Sequence, residues 1–126
     1  MSTSGFSVNR LLRSFKYAFK GIRRAYTEGQ VNIKIHSVIA IFVIALSIYL
    51  SINDIEWVII ISCIGIVIAA EMINTSIESL VDLVSPEWNE KAGKVKDIAA
   101  GAVLVLAMMS IVIGIVIFLP KILALL

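Results

Sequence analysis

Glu71-Met72-Ile73-Asn74-Thr75-Ser76-Ile77-Glu78-Ser79-Leu80-Val81-Asp82 closes a long apolar run, yet it carries three carboxylates and an amide. A helix turns by about 100° per residue, so Asn74, Glu78 and Asp82 fall on the same stripe as Glu71. Met72, Ile73, Ile77, Leu80 and Val81 lie mostly off it. The segment therefore predicts a helix with one acidic face and an otherwise greasy surface. Acidic residues entering a membrane segment are costly; by default they are a functional-site hypothesis, the alternative being hydrogen bonds that join helices.

The apolar run that leads into this stripe starts at Trp57, a residue suited to a membrane interface. It predicts a transmembrane helix over 57–84, ended by Ser85-Pro86, since proline lacks the amide hydrogen and disfavours a helical residue before it. Upstream, 33–52 is just long enough to cross about 30 Å of hydrocarbon. Downstream, 98–119 forms a third span, stopped by Pro120. Its first turns are Ala99, Ala100, Gly101 and Ala102, small residues that let helices approach closely. Before the spans, Leu11, Leu12, Phe15, Phe19, Ile22 and Tyr26 recur at threes and fours among six arginines and lysines. That predicts a basic amphipathic helix over 9–26, suited to an anionic membrane surface. The apolar face and the spans that follow argue against nucleic acid as its partner. Met1 to Ser7, small and polar, are expected to be loose, and no cleavable signal peptide is evident.

Composition agrees. Of 126 residues, 60% are hydrophobic and only 16% charged, too few charges to cover a soluble domain. The fold class is all-α integral membrane, a surface helix plus three transmembrane helices. With the single cysteine, Cys63, no intrachain disulfide is possible, and Cys63 reads as a small packing residue. Lysine and arginine number seven in residues 1–36, none in 51–56, three in 84–97 and one, Lys121, beyond. The positive-inside tendency places the N-terminus and the 85–97 segment in the cytoplasm and the C-terminus outside.

In that orientation Trp57 marks the outer interface and Glu71 lies about 21 Å further along the axis, inside the hydrocarbon near its inner edge. Glu78 is at the edge and Asp82 beyond it. A carboxylate at this depth can meet both a lipid hydroxyl and a water-soluble substrate. Desolvation favours Glu71 as a general base. Glu78 suits a hard cation, since Mg²⁺ commonly takes one or two carboxylates plus substrate phosphates. Asn74 can add an amide oxygen. Lys96 and Asp97 open the third span: lysine can neutralise phosphate charge, and the aspartate can hold water, metal or a partner side chain. His36, near the first boundary, reads as an interfacial hydrogen-bonder. There is no Gly-rich phosphate loop, zinc spacing or serine–histidine pair, so a nucleotide would have to be held by helix faces and the loop.

The pattern Glu71-x-x-Asn74-x-x-x-Glu78-x-x-x-Asp82, followed by Lys96-Asp97 and Ile-Ala-Ala-Gly-Ala-Val-Leu, resembles the prokaryotic diacylglycerol kinase family, which includes the undecaprenol kinases of Gram-positive bacteria. The likeness covers nearly the whole chain. It implies a homotrimer in the bacterial inner (cell) membrane, with active sites shared between neighbouring subunits, Mg-ATP as phosphoryl donor and a membrane lipid alcohol, diacylglycerol or undecaprenol, as acceptor. It implies Glu71 as catalytic base and Glu78 as metal ligand, with Asn74 and Asp82 on the same polar face. Glu87, Trp88 and Asn89 of the loop, Lys96 and Asp97, and Arg10 and Tyr17 of the surface helix match positions near nucleotide or lipid.

One position departs. Where the family usually has a second metal-binding glutamate, two residues before Asn32-Ile33-Lys34, this chain has Gln30, with Glu28 two residues earlier. Either Gln30 serves with a neutral oxygen or Glu28 substitutes. Ala100 stands where some members carry serine, which favours the Gram-positive-like branch. Two rival readings are an oligomeric proton or ion conduit lined by the acidic stripe, and a non-enzymatic assembly subunit. The conduit would need polar groups in the outer half of the second span, where Val58 to Ile61 offers none.

Overall fold

The computed structural model describes residues 7–126 and contains four helices: α1 (Val8–Thr27), α2 (Val31–Tyr49), α3 (Asp54–Val84) and α4 (Glu90–Leu123). The polar leader expected to be loose lies, Ser7 apart, outside the described residues. α2, α3 and α4 are each long and apolar enough to cross a membrane. At 1.5 Å per residue, the 31 residues of α3 extend about 46 Å and the 34 of α4 about 51 Å. Both exceed a hydrocarbon core of about 30 Å, so each carries turns that project into headgroups or water.

α3 is the spine. α4 packs along it most extensively, and α2 lies against it over a shorter stretch. Ile52, Ile60, Ile117 and Phe118 form the buried cluster at one end, with Trp57 packed on it. Most other large apolar side chains of the spans face outward, among them Phe42, Val58, Leu104 and Val116. In water this surface would be untenable, whereas lipid or another apolar face covers it without cost.

The α2–α3 connection is tight for identifiable reasons. The Ile52 amide donates to the Ser47 carbonyl at 3.3 Å and the Ser51 amide to the Ile48 carbonyl at 3.1 Å, a Schellman closure of α2. Ser51 occupies its left-handed position at φ 50°, a place that normally takes glycine. α3 then opens with a capping box: Asn53 Oδ1 accepts from the Glu56 amide at 3.0 Å, and Glu56 Oε2 accepts from the Asn53 amide at 2.9 Å. This moves the start of α3 to Asp54, ahead of Trp57. Lys121 Nζ lies 3.1 Å from Glu56 Oε2 and ties the far end of α4 to the same corner.

α1 joins the bundle near its C-terminus. Ala25 is its one buried residue, and Tyr26 Oη lies 2.6 Å from Ser37 Oγ of α2. Gly29 permits the turn, because a Cβ there would sit 2.0 Å from the Ala25 carbonyl oxygen.

α4 differs from its expected extent at both ends. It begins at Glu90, because Asn89 Oδ1 caps the Lys91 and Ala92 amides and the Lys94–Glu90 pair at 2.8 Å supports the first turns. The polar sequence there is a water-facing helix, not a loop. Pro120 also fails to stop α4. The helix runs on to Leu123, and the Pro120 carbonyl still accepts from the Ala124 amide at 3.1 Å. Proline removes one donor and crowds one carbonyl, and near a helix end those losses are tolerated. At Gly101 the small-residue stretch leaves open space: a methyl added there would meet nothing within 4 Å.

Candidate active site

The acidic stripe of α3 faces inward. Glu71 is 3% exposed and Asn74 4%, the buried polar groups of a helix whose apolar residues largely point out. A carboxylate so placed needs a partner. It has one in His36 of α2, whose Nε2 stands 3.2 Å from Glu71 Oε1. One turn along, Asn74 Nδ2 donates to Glu78 Oε1 at 3.4 Å. Asn74 Oδ1 is buried and lacks a hydrogen-bond partner. One turn further, Asp82 pairs with Lys96 of α4 across the polar loop. The stripe thus becomes a line of interactions graded from buried (Glu71, Asn74) through half-buried (Glu78) to exposed (Asp82).

Two cavities meet beside Glu71. One, of about 250 Å³, is walled by Glu71, Asn74, Asn32 and His36 on one side and by Ala100, Val103, Leu104 and Ala107 of α4 on the other. The second, of about 450 Å³, is almost wholly apolar and runs between α2, α3 and α4 from His36 to Phe118 and Ile122. They share His36 and Ala107. A carboxylate on the polar wall of a small chamber therefore adjoins a greasy cleft leading toward the opposite end of the bundle. That combination suits an amphiphile with one polar end.

Other residues singled out from the sequence lie further off. Arg10 and Tyr17 are exposed on α1 and make no side-chain bond to α3 or α4 among the described residues. Glu87 and Trp88 are exposed in the loop, Trp88 at 90%. The Asn89 side chain serves as the cap of α4. Asp97 is exposed, while Lys96 is engaged by Asp82. Gln30 precedes α2 and forms no side-chain capping bond. Glu28 ends α1, 3.9 Å from Arg24, with both side chains exposed.

The oxygens that could serve a hard divalent cation are those of Glu78 and the unpartnered Asn74 Oδ1. No cluster of three or more His, Cys, Asp or Glu side chains is present among the described residues. An amide oxygen and a carboxylate one turn apart on α3 are hard oxygen donors of the kind Mg²⁺ takes alongside waters or phosphate oxygens.

His36, read from the sequence as an interfacial hydrogen-bonder, stands beside Glu71, and Asn32, not singled out there as a site residue, lines the same chamber. Both sit on α2, one turn apart, on the face toward α3. Their i, i+4 spacing was readable, but nothing in it says which helix they meet.

Residues 16–118 match the family described as prokaryotic diacylglycerol kinase. The chain belongs to the prokaryotic diacylglycerol kinase family. It is 41% identical over 115 residues to the undecaprenol kinase of Bacillus subtilis (strain 168), covering 90% of this chain and 92% of that protein. It is 36% identical to the diacylglycerol kinase of Synechocystis sp., over 91% of this chain and 66% of that longer protein. The likeness to the diacylglycerol kinase of Escherichia coli (strain K12) is 27% over 88% of each. Membership of the prokaryotic diacylglycerol kinase family makes this chain a lipid kinase, a membrane-embedded phosphotransferase with a lipid and ATP as its substrates.

Proposed function

We propose that this kinase moves the γ-phosphate of ATP to the hydroxyl of a long-chain lipid alcohol, of the undecaprenol or diacylglycerol class, at the cytoplasmic face of the cell membrane. The observation that carries the reading is the junction at His36, where the Glu71 chamber meets the apolar cleft. The cleft suits the acceptor's tail and the chamber its hydroxyl. Glu71 takes the hydroxyl proton as that oxygen attacks the γ-phosphorus. The new O–P bond forms, the bond to ADP breaks, and a lipid phosphate results. The remaining acceleration comes from positioning and electrostatics, as in phosphoryl transfer generally.

Glu78 and Asn74 would hold Mg²⁺, with Gln30, or Glu28 in its stead, completing the set. The ion, when bound, would offset negative charge on the phosphates of ATP. Lys96 and Asp97, with Glu87, Trp88 and Asn89 of the adjoining segment, are proposed for the nucleotide. Arg10 and Tyr17 would approach nucleotide and lipid from α1, lying on the membrane surface. The basic N-terminal third favours a cytoplasmic N-terminus, and the three-span topology then puts the C-terminus outside. A homotrimer fits the wide apolar surface that a single chain leaves uncovered.

The deciding experiment supplies purified protein with γ-labelled ATP and, separately, undecaprenol and diacylglycerol in lipid vesicles. Label should enter organic-extractable lipid, and the ratio of kcat/KM values names the preferred acceptor. No transfer to either alcohol would refute the proposal.

A further inference from the structure

We infer that His36 is a positioning residue for Glu71: its Nε2–H holds Oε1 and so reserves the other carboxylate oxygen for the acceptor hydroxyl. The inference rests on the reading of Glu71 as base.

The two side chains come from different helices, His36 from α2 and Glu71 from α3, at 3.2 Å. No other hydrogen bond to either side chain is present among the described residues. A glutamate has three side-chain torsions, and a general base must lie within hydrogen-bond reach of the proton it takes. Glu71 on its own would be free to swing between the chamber and the α2 wall. A bond from one oxygen removes that freedom. The imidazole is well placed for this. Its side chain is 24% exposed against 4% for Glu71, so it stands between the chamber and more accessible surroundings.

Among the described residues of the chain, the others around Glu71 leave this task to His36. α4 contributes Ala100, Val103, Leu104 and Ala107 to the chamber, none of which can donate from its side chain. α1 approaches with Tyr26, whose hydroxyl is taken up by Ser37. On α3, Asn74 spends its amide donor on Glu78. Asn32 lines the chamber with no recorded bond to Glu71. A buried pair that served only to satisfy a carboxylate would need no particular donor position. A positioning bond does, because it must be delivered where Nε2 stands.

That difference makes the test. The glutamine amide nitrogen reaches about as far as Nε2, while that of asparagine stops near Nδ1. His36→Leu and His36→Asn should lower kcat by about 10- to 100-fold, the worth of one hydrogen bond to a charged group, with KM for ATP within about twofold. His36→Gln should recover most of that loss. Thermal unfolding of each variant supplies the control, since a purely structural pair would make kcat follow stability. Equal kcat for all three variants, high or low, overturns the inference, as does kcat that tracks melting temperature. Full activity in Glu71→Gln would instead remove the base reading itself. In the Glu71→Gln background the difference between His36→Leu and His36→Gln should vanish. If it persists, His36 acts by some route other than Glu71.

Discussion

Lys96 of α4 and Asp82 of α3 form an ion pair that bridges the two helices on either side of the polar loop. The pair closes the exposed end of the line that begins at buried Glu71. On the proposed role of Lys96, a triphosphate competes with Asp82 for the ammonium. Lys96→Met should raise KM for ATP by about 10- to 100-fold, the range for a hydrogen bond to a charged group. Asp82→Asn should be milder, because it releases the lysine rather than removing it. Steady-state kinetics at saturating lipid reads both. A larger effect for Asp82→Asn than for Lys96→Met would show that Asp82 itself contacts substrate or metal.

Glu71→Gln keeps the shape of the side chain and removes its basicity. It should lower kcat by about 10²- to 10⁴-fold, the usual contribution of a general base. ATP affinity, read by equilibrium binding, should stay near that of the parent protein. Parent-like turnover would disqualify Glu71.

For the metal, Glu78→Gln should shift the Mg²⁺ dependence of the rate to higher concentrations, because a neutral oxygen attracts the ion less. Gln30→Glu should shift it lower. Should Gln30→Glu leave the titration unmoved while Glu28→Gln weakens it, the second ligand is Glu28.

Ser51 sits at φ 50° in the Schellman closure of α2. The left-handed conformation costs a residue with a Cβ roughly 1–2 kcal/mol, offset partly by the chain entropy that glycine loses. Ser51→Gly should therefore stabilise the protein by up to about 1 kcal/mol and raise its melting temperature in detergent, with activity unaltered. A lower melting temperature would show that the serine side chain contributes something the backbone does not reveal.

Gly29 cannot take a methyl group without meeting the Ala25 carbonyl oxygen at 2.0 Å. That atom is backbone, so relief requires α1 to move. Gly29→Ala should cost about 1–3 kcal/mol, the usual range for overpacking, and the Tyr26–Ser37 bond should weaken with it. Adding Ser37→Ala should then cost less in the Gly29→Ala protein than in the parent, as measured by a thermal-unfolding double-mutant cycle.

The acidic face of α3 and the three spans were legible because both rest on local periodicity and length. Each property is written within one segment. The helix ends were less so. Asn53 and Glu56 form a capping box three residues apart, a pattern readable in principle but masked by the expectation that a span begins at its aromatic residue. Glu90 to Lys96 looked like loop because it is polar, yet a helix leaving the membrane should be polar. Pro120 looked like a stop because proline breaks helix interiors, and its position near the end weakened that rule. The pairing of His36 with Glu71 was out of reach of periodicity. It depends on the rotation of α2 about its own axis against α3, which no local pattern encodes.

α1 is anchored at a single end. Ala25 and Tyr26 secure it to the bundle, whereas Arg10 lies about 22 Å away along the helix axis. A lever fixed at one point takes its angle from whatever supports the free arm. A flat bilayer and a curved micelle would therefore set Arg10 and Tyr17 at different heights relative to the three spans.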